Sequence, residues 1–168
     1  EVKDVINFFN GKDGVIMAKM DGLTCSVRYV NGELVSAETR GNGEIGEDIL
    51  ANAKTISNLP LRINCKDEVI IDGEVIIDYL SFAWINKSLP EEERYRHPRN
   101  LASGSIRQLD SKIAAERDMK FIAWKLVKGS SNNNMRDDLV AEANATSDMF
   151  DNYRDNVTKY TFILARKT

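Results

Sequence analysis

Val69-Ile70-Ile71-Asp72-Gly73-Glu74-Val75-Ile76-Ile77 sets an Asp-Gly-Glu core between two apolar triplets and admits two opposite folds. Asp-Gly flanked by apolar residues is a two-residue hairpin signal, which would fold the stretch back on itself. The alternative is one continuous buried strand in which Gly73 makes room for a ligand. Glu74 is then a lone carboxylate in an apolar run, and ribose hydroxyls, a metal or a lysine could partner it. The nine residues leave both readings open, and the choice decides whether the fold has a long central strand.

Upstream, 15–19 reads as a strand, and Leu23, Cys25, Val27 and Tyr29 alternate with Thr24, Ser26 and Arg28 as in a half-buried strand. Asn31-Gly32 supplies a type I′ turn, with 34–39 as the returning strand. Three glycines within 41–46 mark a loop, and a short helix is predicted over 49–55, ending before Pro60. Downstream, 79–86 reads as a short helix with Phe82 and Ile85 as its apolar face. A loop over 87–99 follows, then a helix over 101–108 capped by Asn100, and a strand over 119–127. GSSNNN at 129–134 is polar and flexible, 137–153 is weakly helical, and 160–165 fits a last strand.

With 168 residues and 42% hydrophobic content, the chain suits one domain with a real core. No run approaches the roughly 20 apolar residues of a membrane span, and no basic segment leads into an apolar one as in a secretory signal. The expectation is a soluble, cytoplasmic protein without a membrane partner. Cys25 and Cys65 lack CxxC spacing and His97 is the single histidine, so no Cys/His metal site is predicted. The chain begins at Glu1 rather than methionine, which reads as trimming or as a start inside a longer product. The net charge of -3 argues weakly against a module dedicated to gripping DNA. The charge is uneven, however: residues 94–128 hold nine Lys/Arg against three Asp/Glu, whereas 1–93 hold nine against seventeen. The basic segment would draw a phosphate, or else form a solvated charged face.

Lys19-Met20-Asp21-Gly22 places a lysine and an aspartate two residues apart, on one face if the strand continues. A nucleophilic lysine must be neutral, which desolvation or a nearby cation favours; Asp21 opposes this unless a hydroxyl or metal-bound water occupies it. Without such chemistry the tetrapeptide is a solvated strand end. The glycine loop matches neither a P-loop nor a dinucleotide fingerprint, so phosphate cradle and plain connection both remain open. Arg99 and Arg107 lie eight residues apart around a helix start, suited either to phosphate or to surface ion pairs.

Taken in order, these pieces resemble the adenylation domain of bacterial NAD-dependent DNA ligases over residues 13–125. KMDG at 19–22 resembles the family's nucleophile motif, which makes Lys19 the adenylylated lysine. TRGNGEIGED at 39–48 is similar to a glycine-rich stretch whose arginine, here Arg40, lies in the nucleotide site. DGE at 72–74 resembles the motif whose glutamate, here Glu74, contacts the ribose. HPRNLASGSIRQLD at 97–110 resembles the segment whose two arginines, here Arg99 and Arg107, engage phosphates. The resemblance decides the 69–77 conflict in favour of a strand passing under the nucleotide.

It also implies an α+β fold with antiparallel sheets enclosing a nucleotide cleft, as in DNA ligases and mRNA capping nucleotidyltransferases, incomplete on the C-terminal side. Residues 1–128 would form a partial adenylation domain, with 129–168 a polar linker and weakly assigned helix and strand continuing it. The implied catalytic residues are Lys19, Asp21, Arg99 and Arg107, and the implied nucleotide contacts are Lys19, Gly22, Arg40 and Glu74. NAD and magnesium are the implied cofactors and nicked double-stranded DNA the implied partner, in replication and repair. Two positions depart from the pattern: Met17 stands where the family has a glutamate near the adenine, and Asn42 replaces an aspartate. The family's DGVVVK-like strand and later lysine motif have no counterpart here. Neither do its N-terminal helical module or its OB-fold, zinc, helix-hairpin-helix and BRCT regions. The chain thus resembles a fragment, or one subunit of a split ligase whose missing motifs come from a second polypeptide or chain segment. The alternatives are an ATP-dependent nucleotidyltransferase and a truncated or degenerate nucleotide-binding module without catalysis.

Overall fold

The structure is a computed structural model, and it describes residues 3, 4, 7, 14–16, 19–41, 46–129 and 163–165. In chain order its elements are β1 (Gly14–Ile16), β2 (Leu23–Val30), β3 (Glu33–Thr39), α1 (Leu50–Ala53), β4 (Val69–Ile76) and α2 (Tyr79–Ser88). A 3-10 turn (Glu91–Glu93), α3 (Pro98–Ile106), α4 (Ser111–Ala115), β5 (Lys120–Lys128) and β6 (Ile163–Ala165) follow. The main sheet is antiparallel with strand order β3-β2-β4-β5, and β1 pairs with β6 in a second, two-stranded sheet. The fold is thus a mixture of helices and antiparallel sheets, as the α+β reading expects.

β4 runs without interruption through Asp72-Gly73. Gly73 pairs with Cys25 on one side and Ala123 on the other, so both edges of the would-be turn are held in the sheet. Val69, Ile71, Gly73 and Val75 are buried, while Ile70, Asp72, Glu74 and Ile76 are half-buried on the opposite face. The room above Gly73 does not go to a ligand. A Cβ there would lie 2.2 Å from Cζ of Phe121, whose buried ring fills the space. The glycine serves packing between neighbouring strands, which corrects the expected ligand role.

In β2, Cys25, Val27 and Tyr29 are buried and alternate with residues of the other face. Asn31 (φ 52°) and Gly32 (φ 79°) both adopt positive φ, as a type I′ turn requires. The β2–β3 hairpin forms as predicted, with a bulge between Arg28 and Tyr29. The core joins the inner sheet face to the helices through Tyr29, Ile71, Val75, Leu101, Ile106 and Phe121, all fully buried. α2 is capped by Asp78, whose carboxylate accepts the Ser81 amide at 2.8 Å, and it buries Ile85 with Phe82 packed beside it. It runs two residues beyond the predicted end.

Two predicted boundaries are corrected. The third helix begins at Pro98 and ends at Ile106, with His97 rather than Asn100 as its cap. Proline suits the first helical position because its missing N–H has no intrahelical acceptor there. Asn100 is already helical and donates its amide to the His97 carbonyl. Lys19, Met20 and Asp21 are not in a strand, so Lys19 and Asp21 are not strand neighbours on a shared face. The predicted helix over 137–153, positions 17 and 42, most of the glycine loop and most of the GSSNNN stretch lie outside the described residues.

Gly73→Ala would drive a methyl group into the Phe121 ring and toward the Ile122 carbonyl. The expected loss is about 1–3 kcal/mol of unfolding free energy by urea titration. An unchanged midpoint would contradict the packing role.

Candidate nucleotide site

Four separate segments of the chain meet through hydrogen bonds at one end of the main sheet. Lys19 is exposed and Met20 half-buried, and Gly22 is buried directly against β4. A Cβ on Gly22 would lie 2.2 Å from the Val75 carbonyl oxygen, so only glycine lets the backbone approach this closely. Here its amide donates to Oε1 of Glu74 at 3.2 Å, while the Thr24 hydroxyl donates to Oε2 at 3.0 Å. Thr24 lies directly opposite Glu74 in the β2–β4 register. The partners of the lone carboxylate are therefore an amide and a hydroxyl, rather than the lysine considered from sequence. A carboxylate offers about four acceptor positions, so capacity remains for a further donor.

Asp21 joins this segment to the start of α3. Its Oδ1 accepts from Arg99 Nη1 at 3.2 Å, and its Oδ2 lies 3.7 Å from His97 Nε2. The other ring nitrogen of His97, Nδ1, accepts the Arg99 amide at 3.3 Å as the helix cap. Asp21 and Arg99 are both more than half exposed, so the pair contributes only about 0–1 kcal/mol to stability. Its consequence is electrostatic: the guanidinium offsets the carboxylate charge two residues from Lys19.

Arg107 caps the other end of α3. Its guanidinium donates to the Glu47 carboxylate, to the Ser103 hydroxyl and, at 3.3 Å, to the Ser103 carbonyl. Glu47 is itself fixed on β3: its amide donates to the Thr39 hydroxyl at 3.1 Å, and its carbonyl accepts the Thr39 amide at 3.0 Å. Arg40 follows at the strand end, with its backbone amide bonded to the Thr24 carbonyl at 3.1 Å and the residue exposed. The Cys25 thiol lies beneath, close enough to sense both sides of the site. Burial pushes its pKa up to about 12, the negative charge of Glu74 adds to the rise, and the positive charge of Arg107 opposes it.

Asp21 and Arg99 are thus brought into direct contact, as are Gly22 and Glu74. Arg107 and Arg40 join the same region through Glu47 and Thr24. Thr24, Glu47 and His97 were not singled out for the site from sequence. His97 carried one usable signal, since the residue before a helix-starting proline is the cap position. Glu47 carried none, because its partner lies 60 residues away. Among the described residues, no group of three or more His, Cys, Asp or Glu side chains is arranged to hold a metal ion. No helix among them is long and apolar enough to cross a membrane.

Both cysteines are free thiols, with Cys25 buried and Cys65 partly exposed. A thiol reagent at pH 8 is expected to titrate Cys65 readily in the folded chain and Cys25 only after denaturation. Equal reaction rates for the two thiols in the folded chain would contradict the burial of Cys25.

Residues 2–159 match the family described as the NAD-dependent DNA ligase adenylation domain. The chain is 48% identical over 129 residues to a DNA ligase of Lachnoclostridium phytofermentans, covering 76% of this chain and 20% of that protein. It is 45% identical over 117 residues to a DNA ligase of Mycoplasma mycoides, covering 68% and 18% of the two chains. It is 47% identical over 113 residues to one of Helicobacter hepaticus, covering 66% and 17%. The chain spans about a fifth of the length of these curated relatives. Joined by the hydrogen bonds described above and matched along nearly its whole length, the chain belongs to the NAD-dependent DNA ligase adenylation domain family.

Proposed function

We propose that this chain carries the lysine-adenylylating site of an NAD-dependent DNA ligase, with Lys19 as its nucleophile. The observation that supports this most is the interlocking of the four motif segments. Asp21 bonds to Arg99, Gly22 and Thr24 to Glu74, Arg107 to Glu47, and Arg40 to Thr24. Strand pairing and helix burial bring these segments together, and the residues they bring together are the ones the family resemblance names for nucleotide and phosphate contact.

In this reading, Lys19 gives up its proton and its Nζ attacks the α-phosphorus of NAD. A P–N bond forms, the pyrophosphate P–O bond breaks, and nicotinamide mononucleotide leaves with that electron pair. AMP then passes from Lys19 to the 5′-phosphate of a DNA nick, and the 3′-hydroxyl displaces it to seal the strand. Glu74 would use its remaining acceptor capacity for ribose hydroxyls, with Gly22 keeping the backbone close enough for the nucleotide to lie over β4. Arg40 would line the nucleotide cleft. Arg99, in the first turn of α3, and Arg107 would offset charge developing on phosphate oxygens. Asp21, held by Arg99, would then bear less strongly on the lysine proton. Among the described residues, no three acidic, His or Cys side chains are gathered as a protein-built magnesium site. Magnesium characteristically arrives bound to substrate phosphates and water. Nicked double-stranded DNA would be held with the help of segments beyond this chain, in the cytoplasm.

Incubation with NAD and magnesium is expected to add AMP to the chain by intact mass, or to the full gene product containing it where further segments are required. ATP should not substitute, Lys19→Ala should form no adduct, and Arg99→Ala should slow formation by roughly 100-fold. An adduct that persists in Lys19→Ala would remove Lys19 from its role.

A further inference from the structure

We propose that Asn52 is a positioning residue for Arg107, an inference that rests on the reading of Arg107 as a phosphate-engaging group. Asn52 lies in α1 and is only 6% exposed. Its Nδ2 donates to the carbonyls of Ile106 and Gln108, both at 2.7 Å. These two carbonyls belong to the residues on either side of Arg107. One side-chain amide thus uses both of its hydrogens to hold the 106–107 and 108–109 peptide units, which enclose Arg107 and Gln108. The opposite amide orientation would set Oδ1 against two carbonyl oxygens, so the chemistry of the partners fixes which way the group points.

The clamp acts where a helix is least able to hold itself. α3 ends at Ile106, and the last carbonyls of a helix have no intrahelical donor. Arg107 is the C-cap residue, at φ -99° and ψ 9°, outside regular helical geometry. Asn52 supplies the donor for the final helix carbonyl, Ile106, and holds the Gln108 carbonyl just past the helix, and so fixes where the Arg107 side chain departs from the backbone. The far end of that side chain is held by Glu47, five residues ahead of Asn52 in the chain, and by Ser103. Asn52, Glu47 and Arg107 line one cavity of about 340 Å³ between α1 and the end of α3. The segment from 47 to 52 therefore grips Arg107 at both ends, through backbone carbonyls and through the guanidinium.

A buried asparagine with a purely structural role would stabilise the fold without any particular link to Arg107. The two roles separate in a double-mutant cycle. In the full-length gene product containing this chain, single-turnover lysine adenylylation by NAD and nick sealing are measured for Arg107→Ala, Asn52→Ala and the double variant. Circular dichroism confirms that each is folded. Arg107→Ala is expected to slow one of these steps by roughly 100-fold. Asn52→Ala should slow the same step by roughly 10-fold, as expected for a displaced but present group. The double variant should be no slower than Arg107→Ala alone, because Asn52 acts through that residue.

Where Asn52→Ala does not fold, Asn52→Asp keeps the shape while offering at most one donor to the two carbonyls, and the same comparison applies. Effects of the two sites that multiply, or an Asn52 variant as fast as the parent beside a slow Arg107→Ala, would overturn the positioning role and leave the ligase reading intact. An Arg107→Ala protein as fast as the parent would instead remove the functional reading of Arg107, and this inference with it.

Discussion

Between Ile71 and Val75 the chain buries two branched side chains on one face while holding two carboxylates, Asp72 and Glu74, on the other. Only an uninterrupted strand does both. Full burial of each branched side chain contributes about 1.5–3 kcal/mol, and the strand also gains pairing along both edges. A hairpin at Asp72-Gly73 would give up that pairing at the centre of the sheet. Phe121 closes the argument, because its ring occupies the position that any side chain at 73 would need. With β4 straight, β2 lies beside it in a register that puts Thr24 opposite Glu74. Gly22 then arrives within reach of the same carboxylate.

The candidate site inherits its geometry from this strand. Its ion pairs are exposed and too weak to hold distant segments together. Strand pairing and the burial of α3 through Leu101, Ala102 and Ile106 bring the segments to the same place. The ion pairs then select side-chain directions within that frame. Asp21 turns toward α3, Arg107 turns toward the segment leading into α1, and Cys25 beneath them stays a neutral thiol because it is buried.

Features governed by local chemistry were legible in the sequence. The β2–β3 hairpin follows from alternation and from Asn31-Gly32, both of which act within a few residues. The helix predicted over 79–86 was legible from Phe82 and Ile85, although its last two residues and its Asp78 cap were not. The motif segments were legible through resemblance to a family, and residues 2–159 belong to that family. What sequence did not reveal depends on distant partners. Nothing near Gly73 announces that Phe121 will take its space. The spacing of Lys19 and Asp21 suggested a shared strand face, but 19–21 are not in a strand and the aspartate finds Arg99 instead. Asn100 looked like a cap until Pro98 and His97 started the helix earlier. Asn52 gave no local signal, since both of its acceptors lie more than 50 residues away.

In the proposed function these four segments form a single nucleotide site around Lys19. A crystal structure of the chain with bound AMP tests it most directly. The expected result places the ribose hydroxyls at Glu74 and the phosphate between Lys19 Nζ and the arginines Arg99 and Arg107. A nucleotide bound elsewhere, with Glu74 contacting only Gly22 and Thr24, would contradict it.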